Sequence, residues 1–326
     1  MSTTQYPFRP VLSGISISRG LGGTGAGTIL APLVRGTDLK YEYPEFEDFR
    51  GTGTIDTKRA PGGKVKRVKN DRYQMKAGII SDHSIDVESP IEYSAGAVAS
   101  QLDEFQRAVE KANETIRRAH ETDVNKLLWG ANLAAFQAIY GSSKVKNLTG
   151  TARWTSTSPK MRKNILDERE KILDDTGYYP NTLLFTPELY NDITSSDNEI
   201  KEAIKYTEFG VPDMGQLARY FEVQRIVVPG VAFDTANPGV DPVYAKLWGG
   251  PHALLCYVDP NPGRNSQNLA ATFYADGQMS DKIGPFLGVL PRYDMETKQD
   301  LLRCNAYYDE RLINAKCGAV IFNASS

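Results

Sequence analysis

The sequence predicts a mixed α+β chain: a long helix, an outlying two-stranded ribbon, a compact α/β module and a strand-rich tail. Three observations carry that expectation. An apolar stripe of Val98, Leu102, Phe105, Val109, Ala112, Ile116 and Ala119 recurs with 4-3-4-3-4-3 spacing, one face of a helix. Residues 41–80 segregate their charge around Pro61-Gly62-Gly63, a turn signal between two polar limbs. From Pro180 onward, short apolar runs alternate with short helical segments.

The first forty residues scatter Gly20, Gly22, Gly23, Gly25 and Gly27 among small and polar side chains without an amphipathic period, which reads as a flexible or extended arm. Gly20 to Gly25 matches a dinucleotide-loop spelling, but that mechanism needs a helix whose first amides hold pyrophosphate. Pro32 and Gly36 leave such a helix little room. A phosphate-binding P-loop fails too, because Gly27 is followed by Thr28-Ile29 and not by Lys-Ser/Thr.

In residues 41–80, Glu42, Glu45, Glu47 and Asp48 make an acidic start, and Lys58, Arg59, Lys64, Lys66, Arg67, Lys69, Arg72 and Lys76 a basic remainder. Read as a hairpin, each limb would reach roughly 60 Å. An isolated ribbon is marginal in water, so it would be stabilised from outside its own domain, most simply by a neighbouring copy. A solvated basic loop fits the same residues equally well.

The striped helix is expected from about Ala97 to Leu128, roughly 45–50 Å long. Asp103–Arg107 and Glu114–Arg118 are favourable i,i+4 pairs. With its stripe drifting after His120, it suits a single helix lying across something flat. After a turn-rich connection, Ser158-Pro159 reads as an N-cap and first helical position, opening a helix to about Asp175 that Gly177 stops. The α/β module follows. Asn181–Phe185 is a strand, Pro187–Ile193, Glu199–Tyr206 and Met214–Phe221 are helices, and Gln224–Val228 is a strand. Val243–Trp248 and Ala253–Val258 are two further strands joined by Gly249-Gly250-Pro251. Pro285–Leu290, Gln299–Tyr308 and Ala319–Phe322 make the tail.

The 326 residues suffice for a sizeable core, and 40% apolar with 24% charged residues fits a soluble globular protein. Lys+Arg number 38 against 40 Asp+Glu, a net charge of -2 that excludes attachment to nucleic acid by bulk positive charge. No apolar stretch reaches the roughly 18 residues of a spanning helix. Met1 to Arg19 lacks a signal-peptide layout. Cys256, Cys304 and Cys317, odd in number and without metal-type spacing, imply reduced thiols and assembly in a cytoplasm.

No catalytic constellation emerges. His83, His120 and His252 are scattered, with no metal-type spacing to a second ligand. His252 and Cys256, four residues apart on one strand, would lie about 13 Å from each other. That is far beyond proton-transfer reach, so Cys256 reads as a small core residue.

In this order the parts resemble the major capsid protein of tailed bacteriophages, the Hong Kong 97-type fold. Pro180-Asn181-Thr182-Leu183-Leu184-Phe185 resembles that family's entry strand, and Pro187-Glu188-Leu189-Tyr190 the helix after it. Ile204-Lys205-Tyr206, Leu217-Ala218-Arg219-Tyr220-Phe221 and Arg225-Ile226-Val227-Val228 look like its next helix, helix and strand. Leu247 to Val258 is similar to its paired strands. The resemblance implies an N-terminal arm (1–40), an E-loop (41–88) and a peripheral domain (89–180) with a spine helix (97–128). An axial domain (181–279) and a return to the peripheral domain (280–326) complete it. It also implies a non-enzymatic subunit without cofactor, metal or membrane, forming hexamers and pentamers of an icosahedral head shell. The shell, part of the virion and assembled in the host cytoplasm, would enclose double-stranded DNA without binding it specifically. Lys58, Arg59, Lys64, Lys66, Arg67, Lys69 and Arg72 of the E-loop would contact the next subunit.

The arm is too short for a scaffolding extension, which implies a separate scaffold beside a separate portal. In some members an E-loop lysine joins covalently to a neighbour's asparagine. Neither Lys58, Lys64, Lys66 or Lys69, nor Asn305, Asn314 or Asn323, is matched to that pair, which leaves cross-linking open. Rival readings are an encapsulin-type nanocompartment shell, a nucleotide-dependent enzyme using Gly20–Gly25, and a tail-tube protein.

Overall fold

Two five-stranded sheets, built from strands remote in the chain, organise the described residues. The structure is a computed structural model and describes residues 25–36, 40–46, 73–89, 98–156, 159–195, 200, 213–234, 240–241, 243–275, 288–294 and 299–325. In chain order they form α1 (Ala26–Leu30), β1 (Leu33–Gly36), β2 (Lys40–Phe46), β3 (Tyr73–Ile79), β4 (Ser81–Ser89) and the long helix α2 (Val98–Leu128). Next come α3 (Leu133–Tyr140), β5 (Val145–Asn147), α4 (Met161–Thr176), β6 (Thr182–Phe185), α5 (Pro187–Ser195), α6 (Met214–Tyr220) and β7 (Arg225–Val227). Strands β8 (Ala232–Asp234), β9 (Tyr244–Lys246), β10 (Ala253–Cys256), β11 (Ala270–Ala275), β12 (Gly288–Asp294), β13 (Gln299–Leu312) and β14 (Gly318–Phe322) complete it.

The sheet β5-β14-β10-β6-β7 is covered on both faces. Leu183, Phe185, Ala253, Leu255, Ala319 and Ile321 enter one core with α4, α5 and α6. The alternate residues Leu184, Leu254, Cys256 and Val320 enter a second core with α1, α3 and the end of α2. That is why these strands read as unbroken apolar runs and not as alternating ones. The other sheet runs β1-β11-β13-β12, with β4 paired along β13 from Asp300 to Tyr308. Its Cys304, Ala306 and Tyr308 carry Ala108, Val109, Ala112 and Ile116 of α2. The long helix therefore does lie across a flat surface.

Several expectations are corrected. Residues 25–36, read as part of a flexible arm, fold into α1 and β1 with Ala26, Leu30 and Val34 buried, and β1 pairs parallel with β11. The glycines there permit close approach to α2: a Cβ on Gly27 would lie 2.7 Å from Glu121 Oε2. Ala119, assigned to the stripe, is exposed. Buried along the helix are Ala108, Val109, Ala112, Asn113, Ile116, His120, Glu121, Val124 and Leu128, because a 4-3 repeat drifts about 20° per heptad around a straight helix. Helix α4 starts at Met161 with Lys160 at its N-cap, so Pro159 stands before the cap; Gly177, at φ 76°, ends the helix as expected. Val243–Trp248 and Ala253–Val258 do not pair with each other. Strand β9 pairs with β8, whereas β10, apolar on both faces, sits between β6 and β14. The helix expected at Glu199–Tyr206 lies outside the described residues except for Ile200, which is buried.

Candidate assembly surface

The ribbon has the most developed local chemistry. Strands β2 and β3 pair antiparallel from Lys40↔Ile79 to Phe46↔Tyr73, so the root of residues 41–80 is a hairpin-like ladder and not a solvated loop. In Tyr41-Glu42-Tyr43 the period-2 alternation sends both tyrosines inward and Glu42 outward. Tyr41 stacks on Phe273 with ring centroids 4.3 Å apart, and Tyr43 lies 5.7 Å from the same ring. The Tyr41 hydroxyl donates to Asp309 Oδ2, which also accepts from Arg311 Nε at 2.7 Å. Burial, reinforced by that carboxylate, pushes the Tyr41 hydroxyl well above the usual phenol range, so it remains a donor. Gly78 is required opposite it: a Cβ there would lie 2.3 Å from Tyr41 Cζ.

The root of the ribbon is thus fastened to its own subunit, which the expectation of support from a neighbour had not included. The aromatic alternation in Tyr41-Glu42-Tyr43 was the available signal for this anchor. Its partners Phe273, Asp309 and Arg311, more than two hundred residues away, had none. The contact residues named from sequence, Lys58, Arg59, Lys64, Lys66, Arg67, Lys69 and Arg72, lie outside the described residues.

Large apolar side chains face solvent on both ribbons: Met75 and Ile79 on β3, Phe233 and Tyr244 on β8 and β9, with Val243 just before β9. Ile79 is 61% and Tyr244 72% exposed.

Among the described residues, no group of three or more His, Cys, Asp or Glu side chains could hold a metal ion. Cys256 is fully buried, its thiol pushed up to about 12 by burial, and His252 Nδ1 accepts from the Asn323 amide at 3.1 Å. Both are spoken for structurally. A small cleft between α1 and α2 is lined by Gly25, Thr28, Glu114, Arg117, Arg118, His120, Glu121 and Val231; the Thr28 hydroxyl donates to the Gly25 carbonyl at 3.0 Å and His120 Nε2 lies 3.0 Å from Thr272 Oγ1. No helix among the described residues is long and apolar enough to cross a membrane.

Comparison with known proteins places these features. No family model matches the chain. The major capsid protein of Burkholderia phage BcepMu is 29% identical over 254 residues, 76% of this chain and 76% of that protein. The major capsid protein of Pseudomonas phage JBD67 is 23% identical over 287 residues, 87% of this chain and 86% of that protein. A phage-related protein from Bordetella bronchiseptica shares the fold with a TM-score of 0.73 at 23% identity, covering 97% of both chains. In sequence over most of its length, the chain is a relative of the major capsid proteins of bacteriophages.

Proposed function

We propose that this chain is the major capsid protein of a tailed double-stranded DNA phage, a structural subunit that self-assembles into the icosahedral head shell around the packaged genome. The observation that carries this reading is sequence similarity to two phage major capsid proteins across three quarters or more of the chain and of each relative. An encapsulin-type compartment is the alternative, and both of these relatives favour the phage reading.

Subunits would meet as hexamers and pentamers through heterologous contacts that close into rings. The ribbon carrying Lys58, Arg59, Lys64, Lys66, Arg67, Lys69 and Arg72 would extend from its anchored root over the next subunit. One exposed ion pair contributes roughly 0–1 kcal/mol, so cohesion must come from apolar contacts repeated over many copies; exposed Met75 and Ile79 supply such surface. In the Hong Kong 97-type arrangement, residues 1–40 would be the arm, 41–88 the E-loop, 89–180 and 280–326 the peripheral domain, and 181–279 the axial domain. A separate scaffold and a portal would direct assembly in the host cytoplasm. A net charge of -2 suits a wall that encloses DNA without gripping it.

Expression of the full chain followed by negative-stain microscopy tests the reading. Uniform closed shells tens of nanometres across are expected. A persistent monomer, or tubes in place of shells, would overturn it. Copurified DNA would support the phage head, and a copurified enzyme the compartment.

A further inference from the structure

Adjacent residues of the long helix grip both ends of α1. Glu121, 4% exposed, accepts from the Gly27 amide through Oε2 at 2.7 Å and from Trp248 Nε1 through Oε1 at 2.9 Å. His120 Nε2 lies 3.0 Å from Thr272 Oγ1, whose hydroxyl donates to the Ala31 carbonyl at 3.1 Å. Because that hydroxyl spends its proton on Ala31, the His120 ring donates at Nε2, and burial, which lowers its pKa to about 4, keeps the ring neutral near pH 7. The Thr272 amide also donates to the Pro32 carbonyl at 3.0 Å. Three segments remote in sequence converge on one turn of α2: α1 with the residues leading into β1, β11, and the loop after β9 that holds Trp248.

We propose that Glu121 is a positioning residue for shell assembly. Its two acceptor oxygens lock residues 25–36 and the Trp248 loop to the long helix, and so hold the surface they form in the shape that assembly uses. Two features of the geometry single it out. Both its oxygens meet N–H donors, so no neutral side chain of the same shape satisfies both. The facing glycines also leave no room for rearrangement, since a Cβ on Gly25 or Gly27 would lie 2.8 or 2.7 Å from Oε2. The link to assembly rests on the capsid reading; the lock itself does not.

The test uses the full-length chain with Glu121→Gln, Trp248→Phe and the double variant. The glutamine is isosteric, but its amide nitrogen must face one of the two N–H donors. Trypsin cleavage after Arg35, in β1, reports release of the segment, far-ultraviolet circular dichroism reports folding, and electron microscopy reports shells. Glu121→Gln should keep the wild-type spectrum, accelerate cleavage after Arg35 roughly tenfold or more, and yield few or misshapen shells. In the Trp248→Phe background the indole donor is gone and the glutamine amide can turn its nitrogen toward the vacated side. There Glu121→Gln should add no further acceleration and no further loss of shells. A purely packing role would not give that rescue. The inference fails if Glu121→Gln matches wild type in cleavage and shells, if its effects simply add to those of Trp248→Phe, or if its spectrum is that of an unfolded chain. If wild type forms no shells but the cleavage pattern is as expected, the capsid reading fails and the lock stands.

Discussion

The carboxyl of Glu310 lies 3.8 Å from His120 Nε2, with its Oε1 buried and lacking a hydrogen-bond partner. Burial, then the charge of Asp123, pushes it up to about 8, with Asp309 adding to the rise and Arg311 pulling against it. An ordinary carboxyl of this kind titrates near 4.5. Between these values the folded chain holds a proton that the unfolded chain releases. This contribution to stability is therefore full below pH 4.5 and is lost as pH rises to 8. His120 acts in the opposite sense: burial lowers it from 6.5 to about 4, so its contribution is full above pH 6.5 and is lost as pH falls to 4. Glu310→Gln removes only the first effect. Urea unfolding should find the variant equal to wild type near pH 4.5 and more stable by at least about 1 kcal/mol at pH 8.5. A difference that does not change with pH would contradict the assignment. Nothing in sequence distinguished Glu310 from the neighbouring Asp309, because what separates them is the helix lying over β13. Cys256 was legible at this scale: an apolar run on both sides of it placed it in a core.

The long helix shows how far periodicity reaches. Its existence and extent were readable because apolar residues at 3–4 spacing can share a face only on a helix. Which residues finally face the sheet depends on rotation against the β13 surface, and there Ala119 gives way to His120. Ile116→Ala should cost about 2–4 kcal/mol by opening a cavity against the sheet. Ala119→Glu, on solvent, should change stability by no more than about 0.5 kcal/mol. Thermal unfolding of the two variants checks the rotation directly, and a large cost at Ala119 would refute it. Strands β6, β10 and β14 were readable for a related reason: burial on both faces demands continuous apolar sequence. Strand β11 was not picked out, and β9 was assigned to the wrong partner. Three-residue strands such as β8 and β9 carry too little pattern to specify pairing.

Across the whole molecule, neither sheet is confined to one stretch of chain. The sheet around β10 takes β5 from residues 145–147 and β14 from 318–322, on either side of the segment 182–256 that supplies its other strands. The other sheet joins β1, β4, β11, β12 and β13. Parts that read as successive modules are thus laced together, and the described residues should unfold as one unit. The proposed role predicts that replacing Lys64, Lys66, Arg67 and Lys69 with glutamate leaves unfolding within about 1 kcal/mol of wild type. Under the proposed role, the same substitutions should prevent closed shells in electron micrographs. Shells of normal size and yield would remove this loop from the intersubunit contact.

Alone, the sequence determined the helix α2 and the apolar strands at the centre of the β10 sheet. Each of these is written in neighbouring residues, as period, composition or turn chemistry. Only the tertiary structure decided that Tyr41 anchors the ribbon to Phe273 and Asp309, that Glu121 holds Gly27 and Trp248, and that residues 25–36 belong to the body. Those contacts join residues about a hundred or more positions apart, and a local pattern carries no record of which distant donor will meet a buried acceptor.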